Sequence, residues 1–251
     1  DISTYTSINT ANINFEAMRA QPHTINIDAD TKMSDLIDYD CHLLLVLNRF
    51  KIPLGFGDKT VGEICSIHNV DMDCFLTITR FLVNPEVIDA KAFSRLNPAS
   101  VLSYLRNSHE YFLNERLPDL RVRLEEILKN ADKNYQLSIM NFFNGYYNEV
   151  YEHMSYENNV VFPYIDKLLA GEKDDKFSID EFTSNHGNID EKISDLKHLF
   201  IKYILLSGDP YKITNILFDL FLSEEDLFNH CFIEDKALVP LVRKIEKNYS
   251  K

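Results

Sequence analysis

None of the four cysteines, Cys41, Cys65, Cys74 and Cys231, stands in the C-x-x-C spacing of a zinc ribbon or redox pair. They read as reduced thiols. Glycine and proline are scarce, 7 and 8 in 251 residues, which excludes collagenous and low-complexity chains. Basic residues are outnumbered, 26 Lys+Arg against 39 Asp+Glu, and the net charge of −13 disfavours unspecific binding to phosphate backbones or anionic headgroups. No apolar run reaches the ~20 residues that span a bilayer; the stretch over 213–222 is interrupted by Asp219. The opening residues, Asp1-Ile2-Ser3-Thr4-Tyr5-Thr6-Ser7, carry neither the basic segment nor the apolar core of a secretory signal. The expectation is a cytoplasmic protein that binds neither nucleic acid nor membrane. Hydrophobic residues make up 45% of the chain and aromatics 12%, enough for a sizeable core. Its partners are expected to be metals, small molecules or proteins.

Residues 1–32 are rich in Ser, Thr, Asn and Ala, and Ile25 and Ile27 alternate with polar residues, so they read as an arm lying on something else. Over 33–95 apolar residues recur at three and four, as in Leu36, Ile37, Leu44, Leu45, Leu47 and Phe50, then Val61, Ile64 and Cys65, then Phe75, Leu76, Ile78, Phe81 and Leu82. This predicts a small helical domain of three or four short helices, broken at 53–58 and 69–71 where Gly, Asn and Asp supply turns. Beyond Asn97-Pro98 the pattern lengthens. Helices are predicted at roughly 99–130, 133–170, 178–206 and 211–248, the last broken near Ser223, where Ser223-Glu224-Glu225-Asp226 has the form of a helix start. No long segment alternates as a strand does. The fold class is therefore all-α, with residues 96–251 an up-down-up-down four-helix bundle behind the small domain.

Four of the eight histidines, His109, His153, His186 and His230, fall one on each long helix. Two open the same pattern: His153-x3-Glu157-x5-Pro163 and His230-x3-Glu234-x5-Pro240. Composition alone would give about 0.02 such matches, so two mark an internal duplication. Residues four apart on a helix share one face, so each of these helices offers an imidazole and a carboxylate inward. The intervals between the histidines, 44, 33 and 44 residues, are those of two hairpins bringing all four to one level. A single core histidine is more often a hydrogen-bonded structural residue, and an i,i+4 His/Glu pair a surface ion pair; six such residues at repeated spacing argue against both readings. Four His and two Glu are too many for a closed tetrahedral zinc site, whereas imidazole and carboxylate with open positions suit iron. A binuclear iron centre fits best, each iron taking two His with Glu157 and Glu234 bridging. His23, His42, His68 and His198 share no pattern.

Residues 100–245, through Ser108-His109-Glu110-Tyr111, Glu152-His153-Met154, Asn185-His186-Gly187-Asn188 and Asn229-His230-Cys231-Phe232-Ile233-Glu234, resemble the hemerythrin-like, or HHE cation-binding, domain. The ligand set is similar to that of the di-iron proteins called repair of iron centres. The resemblance implies two non-haem irons, carboxylate-bridged and oxo- or hydroxo-bridged when oxidised, held by His109, His153, Glu157, His186, His230 and Glu234. Hemerythrins proper carry a further His where this chain has Asp190, which is open as an outer-shell acceptor, an extra ligand or a solvated residue. The run 47–65 resembles the family's small N-terminal domain. Its hallmark cysteine pair is replaced here by Gly55-Phe56 before Gly57, so a thiol-dependent step on that pair cannot run in this chain.

The resemblance implies a role in nitrosative or oxidative stress, repairing iron-sulfur centres by iron donation or NO removal, with O2, NO or peroxide as small ligands and iron-sulfur proteins as clients. Two other readings stand beside it: an O2/NO-binding or redox sensor that signals to a protein partner, and an enzyme that reduces peroxide or NO. Residues 60–82 have the outline of a helix-turn-helix, but 33–95 carry 6 Lys+Arg against 9 Asp+Glu and lack a basic recognition face. Phe112, Phe142, Phe143, Phe162 and Phe200 are expected in the bundle core.

Overall fold

The structure, a computed structural model, describes residues 26–85, 90–172, 177–185, 190–203 and 209–249. Most of the N-terminal arm, with Ile25 and His23, lies outside the described residues. Its end, 26–32, lies on the small domain. Ile27 is buried, and the Thr31 and Ala29 carbonyls accept from the Val61 and Gly62 N–H groups at 2.8 and 2.9 Å. A Cβ on Gly62 would stand 3.1 Å from the Ala29 carbonyl oxygen, so glycine permits this close approach.

Five short helices follow: α1 (Met33–Tyr39), α2 (Leu43–Arg49), α3 (Val61–Ile67), α4 (Met72–Val83) and α5 (Ala90–Phe93). That is more than the three or four expected, because Asp40 interrupts the first apolar series by accepting from the His42 N–H at 2.9 Å in an Asx turn. Thr60 and Glu63 form a reciprocal capping box at the start of α3, and Asp71 caps α4 on the Cys74 N–H. In the loop before α3, Gly55 takes φ +97°, a left-handed conformation that a cysteine would adopt only under strain.

Among the described residues the bundle is built on four helical legs, three of them passing through a short π-helical stretch. α6 (Pro98–Tyr111) runs through π1 (Phe112–Arg116) into α7 (Leu117–Leu128), and α8 (Lys133–Tyr156) through π2 (Glu157–Val161) into α9 (Phe162–Leu169). The third comprises α10 (Ile179–Asn185) and α11 (Asp190–Tyr203); the fourth runs from α12 (Pro210–Ile233) through π3 (Glu234–Leu238) into α13 (Val239–Tyr249). Asn97, Asp132 and Asp209 each accept a backbone N–H at a helix start, with Pro98 and Pro210 in the first turn. Successive helices are neighbours and the fourth packs on the first, which is the up-down-up-down bundle.

The fourth helix is not broken near Ser223. The Ser223 hydroxyl donates to the Asp219 carbonyl at 2.6 Å, inside α12, the i−4 bond that satisfies a mid-helix serine. Glu224 pairs with Lys197 of α11, and Asp226 with Arg49 of α2; these acids serve tertiary ion pairs, not a first turn. Asp219, which interrupts the apolar stretch, pairs with Arg116 and Arg123 at 2.6 and 2.5 Å. Phe112, Phe143, Phe162 and Phe200 are buried, but Phe142 is 50% exposed, since its neighbour Phe143 takes the inward face and the next residue round the helix turns about 100° away.

One hydrophobic cluster runs from the small domain into the half of the bundle that holds π2 and π3, joining Ile64, Phe75 and Phe81 to Leu105, Phe162, Ile233 and Leu238. A second fills the other half around Leu120, Phe143, Tyr146, Leu196 and Leu220. Arg49 crosses between the small domain and the bundle. Only 3% exposed, it donates to Asp226 at 2.6 Å and to the Tyr104 hydroxyl at 3.2 Å, while its carbonyl accepts from Asn107 at 2.6 Å. Among the described residues no helix is long and apolar enough to cross a membrane.

Candidate metal centre

Proline sets the local shape of the helices that carry the histidines. Pro118, Pro163 and Pro240 each sit two residues beyond a π-helical stretch, and His109, His153 and His230 lie three or four residues before it. A proline inside a helix lacks the N–H of an i→i−4 bond, and its ring crowds the i−4 carbonyl; the wider π turn moves that carbonyl aside. The wide turns begin at Glu157 and Glu234 themselves. The third proline, Pro118, accompanies His109, but the i+4 position there is Leu113, so the first helix brings an imidazole without a carboxylate.

Four side chains from three helices meet in the interior: His109, Glu157, His230 and Glu234, each at most 1% exposed, with one donor atom apiece within 4.8 Å of all the others. His109 Nε2 lies 3.1 Å from His230 Nε2 and 3.1 Å from Glu157 Oε2. The other Glu157 oxygen, Oε1, lies 3.1 Å from His153 Nε2. Glu234 Oε1 faces His230 Nε2, again at 3.1 Å. Glu157 thus spans two imidazoles from different helices. Glu234 belongs also to a second group, with His153 and Cys231.

The tautomer of His109 is fixed from outside the cluster. Asn158 presents Oδ1 to His109 Nδ1 at 2.9 Å, so Nδ1 carries a proton and Nε2 is the ring nitrogen that faces the cluster. The Phe162 ring stacks on the same imidazole at 4.9 Å. Burial pulls the His109 pKa down, but its hydrogen bond to Glu157 and the charges of Glu157 and Glu234 more than offset this, and the pKa is raised. The site therefore draws positive charge to this spot. A proton can supply it, and so can a metal ion. Donor atoms at right angles on one ion with bonds near 2.1 Å stand about 3.0 Å apart, close to the observed spacings, so this donor set fits a cation.

His186 and the side chain of Asp190 lie outside the described residues. His42, His68 and His198 are exposed, away from the buried cluster. His42 joins Asp40 and Cys41 in a surface group. The buried Tyr104 hydroxyl is engaged with Arg49, not with the cluster. The sequence reading missed Asn158, Phe162 as the ring on His109, and Cys231. The first and last stand directly beside Glu157 and His230, the signal that could have raised them.

A family model described as the hemerythrin HHE cation binding domain matches residues 100–242. No curated protein matches the chain.

Proposed function

Because this chain belongs to the hemerythrin HHE cation-binding family, we propose that its bundle holds two non-haem irons on His109, His153, Glu157, His186, His230 and Glu234, with both glutamates shared between the ions. The observation that carries this reading is the double reach of the carboxylates: Glu157 offers one oxygen to His109 and the other to His153, each at 3.1 Å, and Glu234 is common to both donor groups. A ferrous pair there would supply one-electron redox chemistry and open positions for O2, NO or peroxide. The chain's own residues do the rest. Asn158 and Phe162 hold the His109 ring so that Nε2 faces inward, and the buried glutamates bring negative charge that a bound cation offsets. The apolar cluster around them limits water.

In the cell we assign the protein to the response to nitrosative or oxidative stress, as a repairer of iron-sulfur centres that gives up iron to cluster-bearing clients or removes NO. This rests on the similarity of the ligand set to the repair of iron centres proteins. Gly55-Phe56 stands where those have a cysteine pair, so repair here would run from the bundle alone. One observation favours a second reading, a sensor of O2, NO or redox state that signals to a protein partner. Arg49 ties the small domain to Asp226, one turn before His230 on α12, so a shift of that helix would reach the small domain.

Metal analysis and the visible spectrum of the aerobically purified chain test the core of the proposal. Two irons per chain are expected, with an absorption that bleaches on ascorbate and changes with NO. A single zinc, or no metal after anaerobic ferrous loading, would overturn it. Iron passing to a cluster-depleted client favours repair; reversible gas binding with a changed protease pattern in the small domain favours sensing.

Asn158→Ala is a milder test of the same arrangement. Loss of the hydrogen bond that fixes the His109 tautomer is expected to weaken iron binding roughly 10–100-fold, read by competition with a chelator, with the helical signal unchanged. Equal affinity in the variant would remove His109 Nε2 from the ligand set as drawn.

A further inference from the structure

Cys231 is the one thiol that enters the bundle's donor cluster. It directly follows His230 on α12, and its Sγ, a His153 ring nitrogen and a Glu234 carboxylate oxygen all lie within 4.8 Å of one another. Helix geometry accounts for this. Glu234 is four residues beyond His230 and three beyond Cys231, and positions three and four apart are both neighbours on a helix surface. One carboxylate therefore lies beneath an imidazole and a thiol side by side. The remaining cysteines serve elsewhere: Cys65 and Cys74 are buried in the small domain, where burial pushes the Cys65 thiol up to about 11 and that of Cys74 up as well, and Cys41 is exposed beside Asp40 and His42.

We propose that Cys231 is a sulfur donor to the ion held by His153 and Glu234, an inference that rests on the two-iron reading above. Bonds near 2.1 Å to nitrogen and oxygen and about 2.3 Å to sulfur put opposite donors on one ion about 4.4 Å apart. Small side-chain rotations gather the observed trio. As the sulfur–metal bond forms, the S–H proton passes to solvent. The two ions then become chemically unequal. One is bound by His109, Glu157, His230 and Glu234, all nitrogen and oxygen; the other also carries a soft sulfur ligand, which biases it toward metals that accept thiolate.

The test uses the full-length chain, metal-free and then loaded anaerobically with cobalt(II) or with ferrous iron. Iodoacetamide labelling is followed peptide by peptide, with exposed Cys41 as the reference thiol in the same molecule. Expected results are protection of Cys231, but not of Cys41, on loading, and a sulfur-to-cobalt charge-transfer band that is lost in Cys231→Ser. The inference is overturned if two ions load while Cys231 labels as fast as before, or if the band is absent or persists in the variant. Failure of any ion to load would overturn the two-iron reading along with this one, and metal content tells the cases apart. The labelling arm uses the unaltered protein, so it decides the matter even if Cys231→Ser folds poorly.

Discussion

Glu157→Gln is expected to lose metal affinity by more than about 100-fold, beyond the range set by changes in a ligand's outer-shell partners, while the metal-free chain remains as stable as before or becomes more so. Glutamine keeps the volume of the side chain, so packing around π2 is preserved. It replaces one carboxylate oxygen with an NH2 donor. One of the two imidazoles that Glu157 reaches at 3.1 Å then meets a donor, and the side chain can no longer join two ions. Removing a negative charge from a position with no exposure also lifts a desolvation cost. Metal analysis after dialysis checks the first effect. Thermal melting checks the second: added iron at 100 times its Kd stabilises the native protein by about 2.7 kcal/mol, and that response should vanish in the variant. Retention of two irons at unchanged affinity would overturn the role of Glu157 as a shared ligand.

Arg49→Ala is expected to act the opposite way, lowering stability by about 3–5 kcal/mol. Burial works against the Arg49 charge, but Asp226 and Tyr104 more than offset it and hold its pKa above the ordinary arginine value. Alanine would leave the Asp226 carboxylate, 9% exposed, without its guanidinium at 2.6 Å, and would open a gap between α2 and the bundle. Most of the loss therefore comes from stranding the partner, not from the net worth of the pair. A paired replacement tests this. Arg49→Met with Asp226→Leu should recover the greater part of the loss, because neither apolar residue leaves a buried charge. Urea unfolding of the two single variants and the double gives the coupling energy directly. A loss below about 1 kcal/mol in Arg49→Ala, the range of exposed pairs, would mean that the small domain is not anchored through this residue.

The sequence was most legible where structure is local. The i, i+4 spacing of His153 with Glu157 and of His230 with Glu234 placed each pair on one helix face, and the structure has both pairs in contact at 3.1 Å. The first, second and fourth long helices came from the same periodicity, to within a few residues at their ends. Reading failed where a local signal had two uses. Ser223-Glu224-Glu225-Asp226 has the composition of a helix start, yet its serine bonds back to Asp219 and its acids pair with Lys197 and Arg49. Phe142 and Phe143 are equally apolar; only the direction of the neighbouring helices decides which is buried. The recurring proline was seen as part of a motif, but its link to the π turns beside the carboxylates became visible only in the backbone.

By itself, then, the sequence determined the all-α class and the two His/Glu pairs that share a helix face, because helix periodicity depends on residues three and four apart. Only the tertiary structure decided which of these meet across helices. His109 reaches Glu157 and Asn158 from another helix, Arg49 finds Asp226 at a separation of 177 residues, and Cys231 comes to lie beside His153. Such pairings carry no spacing rule. They are fixed by how the apolar faces of the helices pack against one another, and packing sets distances that no local pattern encodes.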